Sequence, residues 1–450
     1  MPFRCQKPII KIVKKEDLKV LVIGSGGREH ALVWKLSKSK LISQLYAAPG
    51  NPGMKDCAKL LPISTKDISM LADFAQKEPI DLTVVGPEQP LVDGIVGEFE
   101  RRNLAIIGPS KRAAQLEGSK AFAKEFMRRN NIPTASFQIF TSPKEALSFI
   151  KESSYPLVIK ADGLAAGKGV YVVDRPEEAQ VAINRFLLEG KLGEAGKRVV
   201  IEEFLPGEEV SIIALSDGHN IKTLIPAIDH KRLRDGDRGP NTGGMGACAP
   251  AFSILRERQL PQIEEEILER TIWGMQREGI PYKGILYAGL MLTEQGPKVL
   301  EFNCRLGDPE AQAILPLLKN DLMELFLALL DGELDLIDLQ WEEKYAVCVV
   351  LASEGYPETP QTGQEISGLS ALEKESIIAF FGGVSEKEGK YYTAGGRVVG
   401  LTAIASDLDK ALNRAYAAVE KVNFEGKQFR RDLGYRLTSK PTSRVGRLSK

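Results

Sequence analysis

The chain has 450 residues, 43% hydrophobic and 27% charged, with 60 Lys+Arg balancing 60 Asp+Glu; at ~150 residues per domain that is roughly three domains with cores of their own. This neutral balance gives no footing for nucleic acid or an acidic membrane surface as partner. Five scattered cysteines (Cys5, Cys57, Cys248, Cys304, Cys348) without a CxxC pair, and only three histidines, argue against a disulfide framework or a zinc site and fit a reducing compartment.

In chain order, residues 1–18 carry Arg4, Lys7, Lys11, Lys14 and Lys15, one short apolar patch and no small-residue cleavage site. They read as a solvated extension, not a secretory signal. No later stretch nears the ~18 uninterrupted apolar residues of a membrane span, and a cytoplasmic protein is expected.

Lys19 opens a strand that stops at a glycine cluster, VLVIGSGGREHA, and a helical pattern follows through Ala31, Leu32 and Trp34. Strand, tight turn and helix leave backbone N–H groups and a positive helix end facing any anion. A dinucleotide is the first candidate, but Glu29 stands at the third glycine position and no acid follows about twenty residues on. A smaller phosphorylated ligand fits better, and a purely structural turn remains an alternative. Apolar runs at 82–85 and 104–107 also end in glycine turns (Gly86-Pro87-Glu88 and Gly108-Pro109-Ser110), with helical patterns Ile68–Gln76 and Ile95–Arg102 between. This alternation predicts a parallel sheet with helices on both faces and one ligand-binding edge.

From about Lys120 a helix leads into a second pattern. Strands at 157–160 and 170–173 flank Ala-Asp162-Gly163-Leu-Ala-Ala-Gly167-Lys168-Gly169, which fails as a P-loop: three residues separate the glycines, and no hydroxyl follows the lysine. A glycine loop joining two strands can still fold over a triphosphate, with Lys160 and Lys168 adding charge, or be a plain surface hairpin. Strands at 198–202 and 209–215 follow. Between them lie the acids and apolar residues Glu202, Glu203, Phe204, Leu205, Glu208 and Glu209, a solvated turn or an adenosine pocket. Asp229-His-Lys231-Arg232 precedes the glycine-rich run Gly239-Pro-Asn241-Thr242-Gly243-Gly244, read as a loop wrapping a ligand. Helices are expected at 254–279 and 317–330, around strands 285–292 and 298–303.

The second of those strands is the most informative. In Glu301-Phe-Asn303-Cys-Arg305, alternation points Glu301, Asn303 and Arg305 the same way. A carboxylate and an amide oxygen suit Mg²⁺, and Arg305 offers a fork for a carboxylate or phosphate; the alternative is a charged edge strand. The tail has strands at 345–351, 376–381 and 396–404 and a helix at 407–422.

The ordered set VLVIGSGGREHAL, APGNPG, DLTVVGPEQPLVDG, AAQLEGSKAFAKEFM, VIKADGLAAGKGV, IEEFLPGEEVS, DHKRLRDGDRGPNTGGMGA, LYAGLM, EFNCRLGDPEAQ, GGRVVGLTA and FRRDLGYR closely resembles the glycinamide ribonucleotide synthetase (phosphoribosylamine–glycine ligase) family of ATP-grasp enzymes, over about residues 19–437. Phe381 departs from it, standing where the family usually has a histidine, so no role is carried onto that position. The resemblance implies an α/β and α+β multidomain fold. Its parts are an extension over 1–18, a doubly wound parallel sheet over 19–121, an ATP-grasp domain over 122–331 with a mobile lid at about 137–205, and a small α+β domain over 340–440. It implies ligation of glycine to 5-phospho-β-D-ribosylamine, with ATP as co-substrate and Mg²⁺ or Mn²⁺ as cofactor, in purine biosynthesis. Lys120, Lys160 and residues 162–169 would hold phosphates; Glu202, Glu203 and Leu205 adenine; Glu208 or Glu209 the ribose. Glu301 and Asn303 would hold the metal, and Asp229, Lys231 and Arg305 would act at glycine or the acceptor. Gly26, Gly27, Glu29, Gly86, Pro87 and Glu88, with Asn241, Thr242, Gly243 and Gly244, would contact substrate. Small molecules are the implied partners, and a monomer or weak dimer the expected state. Rival readings are another ATP-grasp ligase, a nicotinamide dehydrogenase, or a non-catalytic nucleotide-binding protein.

Overall fold

Five parallel strands begin the computed structural model, which describes residues 16–164, 169–189, 193–372 and 375–438. Their order across the sheet is Lys59–Leu60, Ile42–Pro49, Leu18–Gly24, Leu82–Val85, Ile106–Ile107. Period-two alternation splits the central strand between two cores: Val20 and Val22 face one, Leu21 and Ile23 the other. Helix Gly27–Leu36 covers the first face, and Ile68–Lys77 and Ile95–Arg101 cover the second. This is the doubly wound sheet expected from the sequence. Its order reverses between Leu18–Gly24 and Leu82–Val85, so the turns after them, Ser25–Gly27 and Gly86–Glu88, open on the crevice where such sheets bind ligands.

Two antiparallel four-stranded sheets follow. One runs Phe137–Phe140, Val199–Glu203, Leu157–Ala161, Val170–Val173; the other runs Ile221–Thr223, Glu208–Ser216, Gly284–Thr293, Gly296–Asn303. The first has a core of its own, from Ala146, Ile159, Ile183, Phe186 and Ile201 among others. The second shares both cores of the parallel sheet: Val210 and Ile212 join one, Ile213 and Leu215 the other.

The last sheet, also antiparallel, runs Ile228–Asp229, Gly246–Ala249, Tyr345–Ala352, Arg397–Ala405, Ile378–Phe381 and is covered by helix Leu408–Lys421. Its first two strands flank the glycine-rich region read as a loop, Ile228–Asp229 ahead of it and Gly246–Ala249 at its end. That region instead makes a hairpin, Arg232–Arg234 with Arg238–Asn241, and then a sheet strand in which Ala247 and Cys248 are fully buried.

Two helices start later than their periodicity suggests. The first begins at Gln259, after Arg258 in the left-handed region (φ 64°), which places Pro261 in the first turn, where its missing N–H costs nothing. It continues through a wide turn at Glu264–Glu269 into Arg270–Arg277. The second begins at Leu322, because Asp321 caps it by accepting from Met323 N at 2.8 Å. Among the described residues no helix is long and apolar enough to cross a membrane.

Candidate active site

The two antiparallel sheets meet at Lys160. From strand Leu157–Ala161 it pairs with Glu202 at 3.1 Å and donates to the Leu300 carbonyl of the opposite sheet at 3.1 Å. A register shift between Gly289 and Leu290 leaves Leu300 without a ladder partner, so its carbonyl is available. Glu202 is fully enclosed, between Lys160 and Lys124 at 2.9 Å. Burial brings Lys124 down to about 8 despite that carboxylate. Lys120 opens helix Lys120–Arg129 and donates to the Gly163 carbonyl at 2.9 Å; burial lowers its pKa against the opposing pull of Glu301. Asp162 is turned inward, accepting from Ser119 Oγ at 2.9 Å and Ala121 N at 3.0 Å and pairing with Arg198 at 2.5 Å, so it anchors that helix start. Gly169 accepts from Ala161 N at 2.8 Å, and Gly167 and Lys168 lie outside the described residues. Leu205 is buried, whereas Glu203 is half open and accepts from Ser136 N at 2.9 Å.

Glu301 lies at the cleft floor with its side chain 42% exposed. Burial of its surroundings would raise its pKa, but Lys231, Lys160, Lys120 and Arg305 outweigh this and hold it down at about 2. It is therefore an ionised, open carboxylate ringed by four cations, and Lys231 comes within 3.7 Å. Asn303, two residues on, is buried, and its Oδ1 accepts from Arg305 Nη2 at 2.9 Å. Arg305 is held from several sides: Glu88 at 3.2 Å, Glu117 at 2.9 Å and the Leu306 carbonyl at 3.1 Å. Glu117 is itself buried, and its other oxygen accepts from Cys304 N at 2.6 Å. Burial pushes Glu117 up to about 7 even beside Arg305, while Arg305 and Arg28 bring Glu88 down to about 2 against its own burial.

Lys231 bridges Glu209 and Glu301. Burial would depress it, but Glu209, Tyr287, Glu301 and Asp229 raise it well above the usual lysine value. The hairpin end supports it: Thr242 donates through its N–H (2.7 Å) and its hydroxyl (2.8 Å) to the Lys231 carbonyl. Asn241 ends the hairpin strand, half-buried. Gly244 has φ 115°, and a Cβ there would lie 2.4 Å from Pro309 and 2.7 Å from Asp229 Oδ1. Asp229 is buried with Oδ1 unpartnered; burial, then the nearby Glu310 charge, raises its pKa well above the usual range. Glu208 is open to solvent.

On the crevice side, the sequence reading places Glu29 toward substrate, but the fold turns it inward. Its two oxygens accept from Gly26 N at 2.6 Å and Arg28 Nε at 2.7 Å. A Cβ on Gly86 or Gly24 would lie 2.3 Å from its Cγ, so those glycines make room for Glu29. Pro87 and Glu88 start a short helix. Gly26 and Gly27 instead line a cavity of about 260 Å³, whose far wall is Gly382, Gly383 and Gly395–Arg397 from the last sheet. Arg397 pairs with Asp308 at 3.0 Å and donates to the Gly243 carbonyl at 2.6 Å. Sequence reasoning gave no role to Arg397, Asp308, Arg28, Glu117, Lys124 or Glu310. All lie inside the quoted motifs, but only folding brings them to this cleft.

Three consecutive family models match the chain: phosphoribosylglycinamide synthetase N domain over residues 18–117, its ATP-grasp (A) domain over 118–311 and its C domain over 346–436. The chain is 50% identical over 416 residues to a phosphoribosylamine–glycine ligase of Caldanaerobacter subterraneus subsp. tengcongensis, covering 92% of this chain and 99% of that one. It is 51% identical over 422 residues to the trifunctional purine biosynthetic protein adenosine-3 of Gallus gallus, covering 93% of this chain and 42% of that one. Among solved structures it is similar to the phosphoribosylamine–glycine ligase of Thermotoga maritima, with TM-score 0.80, 39% identity, and coverage of 92% and 100%. A biotin carboxylase domain from Hydrogenobacter thermophilus, 18% identical with TM-score 0.68 and 91% of each chain covered, shares the fold.

Proposed function

The chain belongs to the phosphoribosylglycinamide synthetase family, and from that membership we propose how its residues divide one reaction, the ATP-dependent joining of glycine to phosphoribosylamine in purine biosynthesis. A glycine carboxylate oxygen attacks the γ-phosphorus of ATP as the bond to ADP breaks, giving glycyl phosphate. The phosphoribosylamine nitrogen then attacks the acyl carbon, the C–O bond to phosphate breaks, and the nitrogen gives up a proton. Such chemistry is mostly positioning and charge neutralisation.

The ring of four cations around Glu301 carries this reading, because it offers positive charge for a polyphosphate beside a carboxylate that can hold a cation. Lys120 and Lys160 take the α- and β-phosphates, with residues 162–169 over them. Since the Glu202 carboxylate is enclosed, adenine falls to the backbone of Glu203 and Leu205 and ribose to Glu208 or Glu209. ATP-grasp enzymes use a divalent cation with ATP, and an ionised carboxylate next to an amide oxygen suits Mg²⁺ or Mn²⁺ at Glu301 and Asn303. Among the described residues no cluster of three or more His, Cys, Asp and Glu offers an alternative cation nest. Held there, such a cation would supply charge neutralisation for the polyphosphate.

Arg305, held rigidly by Glu88 and Glu117, presents its guanidinium to the anionic glycine or acyl phosphate. Asp229, with an unspent oxygen, holds the glycine ammonium, and Lys231 stands between Glu209 and Glu301 to meet phosphate charge. The 260 Å³ cavity between Gly26–Gly27 and Arg397 takes the ribose phosphate, on the helix N-terminus at Gly27. The test is ADP release with glycine and phosphoribosylamine each omitted in turn. Sustained release should need both; release indifferent to phosphoribosylamine overturns the reading.

A further inference from the structure

Two motif residues, His30 of GREHA and Asn51 of APGNPG, have no part in this chemistry, yet both are buried at the seam between the parallel sheet and the last sheet. Both reach one residue, Phe381. His30 Nδ1 accepts from Phe381 N at 2.8 Å, and Asn51 Nδ2 donates to the Phe381 carbonyl at 2.8 Å. Phe381 ends the edge strand Ile378–Phe381, so two side chains from outside that sheet, one on helix Gly27–Leu36 and one in the turn after Ile42–Pro49, hold polar groups that an edge would expose. Asn51 does more: its amide also donates to the Ser25 carbonyl at 2.8 Å, and its Oδ1 accepts from Gly53 N at 3.0 Å. Ser25 precedes Gly26 and Gly27 on one cavity wall, and Phe381 precedes Gly382 and Gly383 on the other. A single amide therefore spans both walls.

The neighbourhood is shaped for this. The His30 ring meets Phe380 and Phe381 edge-on, with centroids at 5.6 and 5.8 Å. A Cβ on Gly53 would lie 2.5 Å from His30 Cε1 and 2.8 Å from Phe381 Cγ, so only glycine lets them close. Burial lowers His30 to about 4, against a hydrogen bond with the Gly53 backbone, so the ring is neutral at neutral pH, and the Phe381 N–H facing Nδ1 makes that nitrogen the acceptor.

We propose that Asn51 and His30 are positioning residues for the phosphoribosylamine site, pinning the glycine wall of the last sheet at a fixed distance from the Ser25–Gly27 loop. The inference rests on the reading of that cavity as the acceptor site. Neither residue touches the cavity, so their loss should widen or misalign it without removing a ligand contact.

The test is steady-state kinetics of the full chain with each substrate varied. Asn51→Ala and His30→Leu should raise the KM for phosphoribosylamine on the order of 10-fold, below the ~100-fold that a full ångström of misplacement can cost. The KM values for ATP and glycine should stay within about twofold, because the Glu301 end of the cleft is untouched. His30→Asn keeps an acceptor near the Nδ1 position and should restore most of the loss, which a merely structural role would not predict. If Asn51→Ala fails to fold, Gly53→Ala, which pushes His30 and Phe381 apart, should give the same KM signature. Folded variants with an unchanged phosphoribosylamine KM, or with all three KM values raised equally, overturn the proposal. A wild-type chain whose ADP release ignores phosphoribosylamine would overturn the acceptor reading itself, a separate outcome.

Discussion

The acceptor side of the cleft is assembled from three stretches of chain that share continuous cores, whereas the nucleotide side contains a sheet with a core of its own. Strands of the parallel sheet, the Gly284–Thr293 sheet and the last sheet all contribute to one buried cluster. Among the described residues, the sheet Phe137–Phe140 to Val170–Val173 draws its buried core from residues 146–201, with Phe140 packed against it. Among its contacts with the rest are polar ones: Lys160 to the Leu300 carbonyl, Glu203 to Lys298, and Asp162 to Ser119. A body joined to its neighbours by a few polar contacts can be displaced or loosened as a unit, while interdigitated cores cannot. On the proposed assignment of sites, the sugar phosphate would lie between interlocked cores and the nucleotide against a sheet with a core of its own.

The sharpest way to break this comparison is a matched pair of core truncations. Phe99 and Phe186 are both buried, in the shared core and in the isolated one. Each Phe→Ala change should cost about 3–5 kcal/mol locally. Phe99→Ala should lower the main melting transition, whereas Phe186→Ala should leave that transition nearly in place and weaken ATP binding. Calorimetric melting with ATP titration reads both. Equal loss of the main transition in the two variants would show that the nucleotide-side sheet is not a separate unit.

Next in size is Glu301→Gln, which keeps shape and removes the charge that four cations surround. The kcat should fall by at least ~100-fold, the cost of losing one electrostatic stabiliser of a transition state. ATP affinity should weaken far less, because Lys120, Lys160 and the adenine pocket remain. The measurements are kcat at saturating Mg²⁺ and ATP affinity by calorimetry; a folded variant turning over near the wild-type rate would remove the metal assignment.

Smaller, and confined to the interlocked side, is an acid effect. Burial lowers both His30 and His230 from 6.5 to about 4, with Arg430 and Arg436 adding to the effect at His230. The unfolded chain takes up these protons near pH 6.5 and the folded one only near 4. Their contribution to stability is therefore complete above about pH 6.5 and is lost as pH falls toward 4, up to ~3 kcal/mol for each. Glu301 and Glu88, held near 2, lose theirs in a lower window, from about 4.5 downward. His30→Asn should lessen the fall in Tm between pH 7 and 4.5 by a few degrees. Parallel wild-type and variant profiles would mean that His30 is not held neutral by the fold.

How much of this was legible in the sequence follows the range of the interactions. Strand runs such as Val20–Ile23 and Leu82–Val85, and the Glu301-x-Asn303 pair, depend on neighbours one or two residues away, and they emerge from pattern alone. What escaped depends on partners far along the chain. Arg28 meets the Leu306 carbonyl across 278 residues, and Glu117 meets Cys304 N across 187. The start of strand Gly246–Ala249 looked like a loop because Gly243, Gly244 and Gly246 have poor strand propensity. It is a strand because Tyr345–Ala352 supplies its ladder and closes over it. The substrate contact at Glu29 came from the resemblance and not from the local pattern; in the fold its oxygens accept from Gly26 N and Arg28 Nε, and Gly24 and Gly86 leave room for its side chain.

At the small end of the scale is the segment before the first strand. The family's N-domain match begins at residue 18, and there the sheet begins: Leu18 is fully buried and donates to the Leu41 carbonyl at 2.7 Å. Glu16 and Asp17 ahead of it are exposed. No site residue assigned above precedes Gly26, and among the described residues the cores on both faces of Leu18–Gly24 are filled by residues from Leu18 onward. Deleting residues 2–17 should therefore leave kcat and all three KM values within about twofold and Tm within a degree or two, since the segment lies outside the family match and chain termini seldom carry stability. The interlocked side of the cleft is the sensitive detector, because any disturbance of Leu18 would pass through the central strand to Ser25. A raised phosphoribosylamine KM in the truncated protein, with ATP unaffected, would place the start of the acceptor scaffold ahead of residue 18.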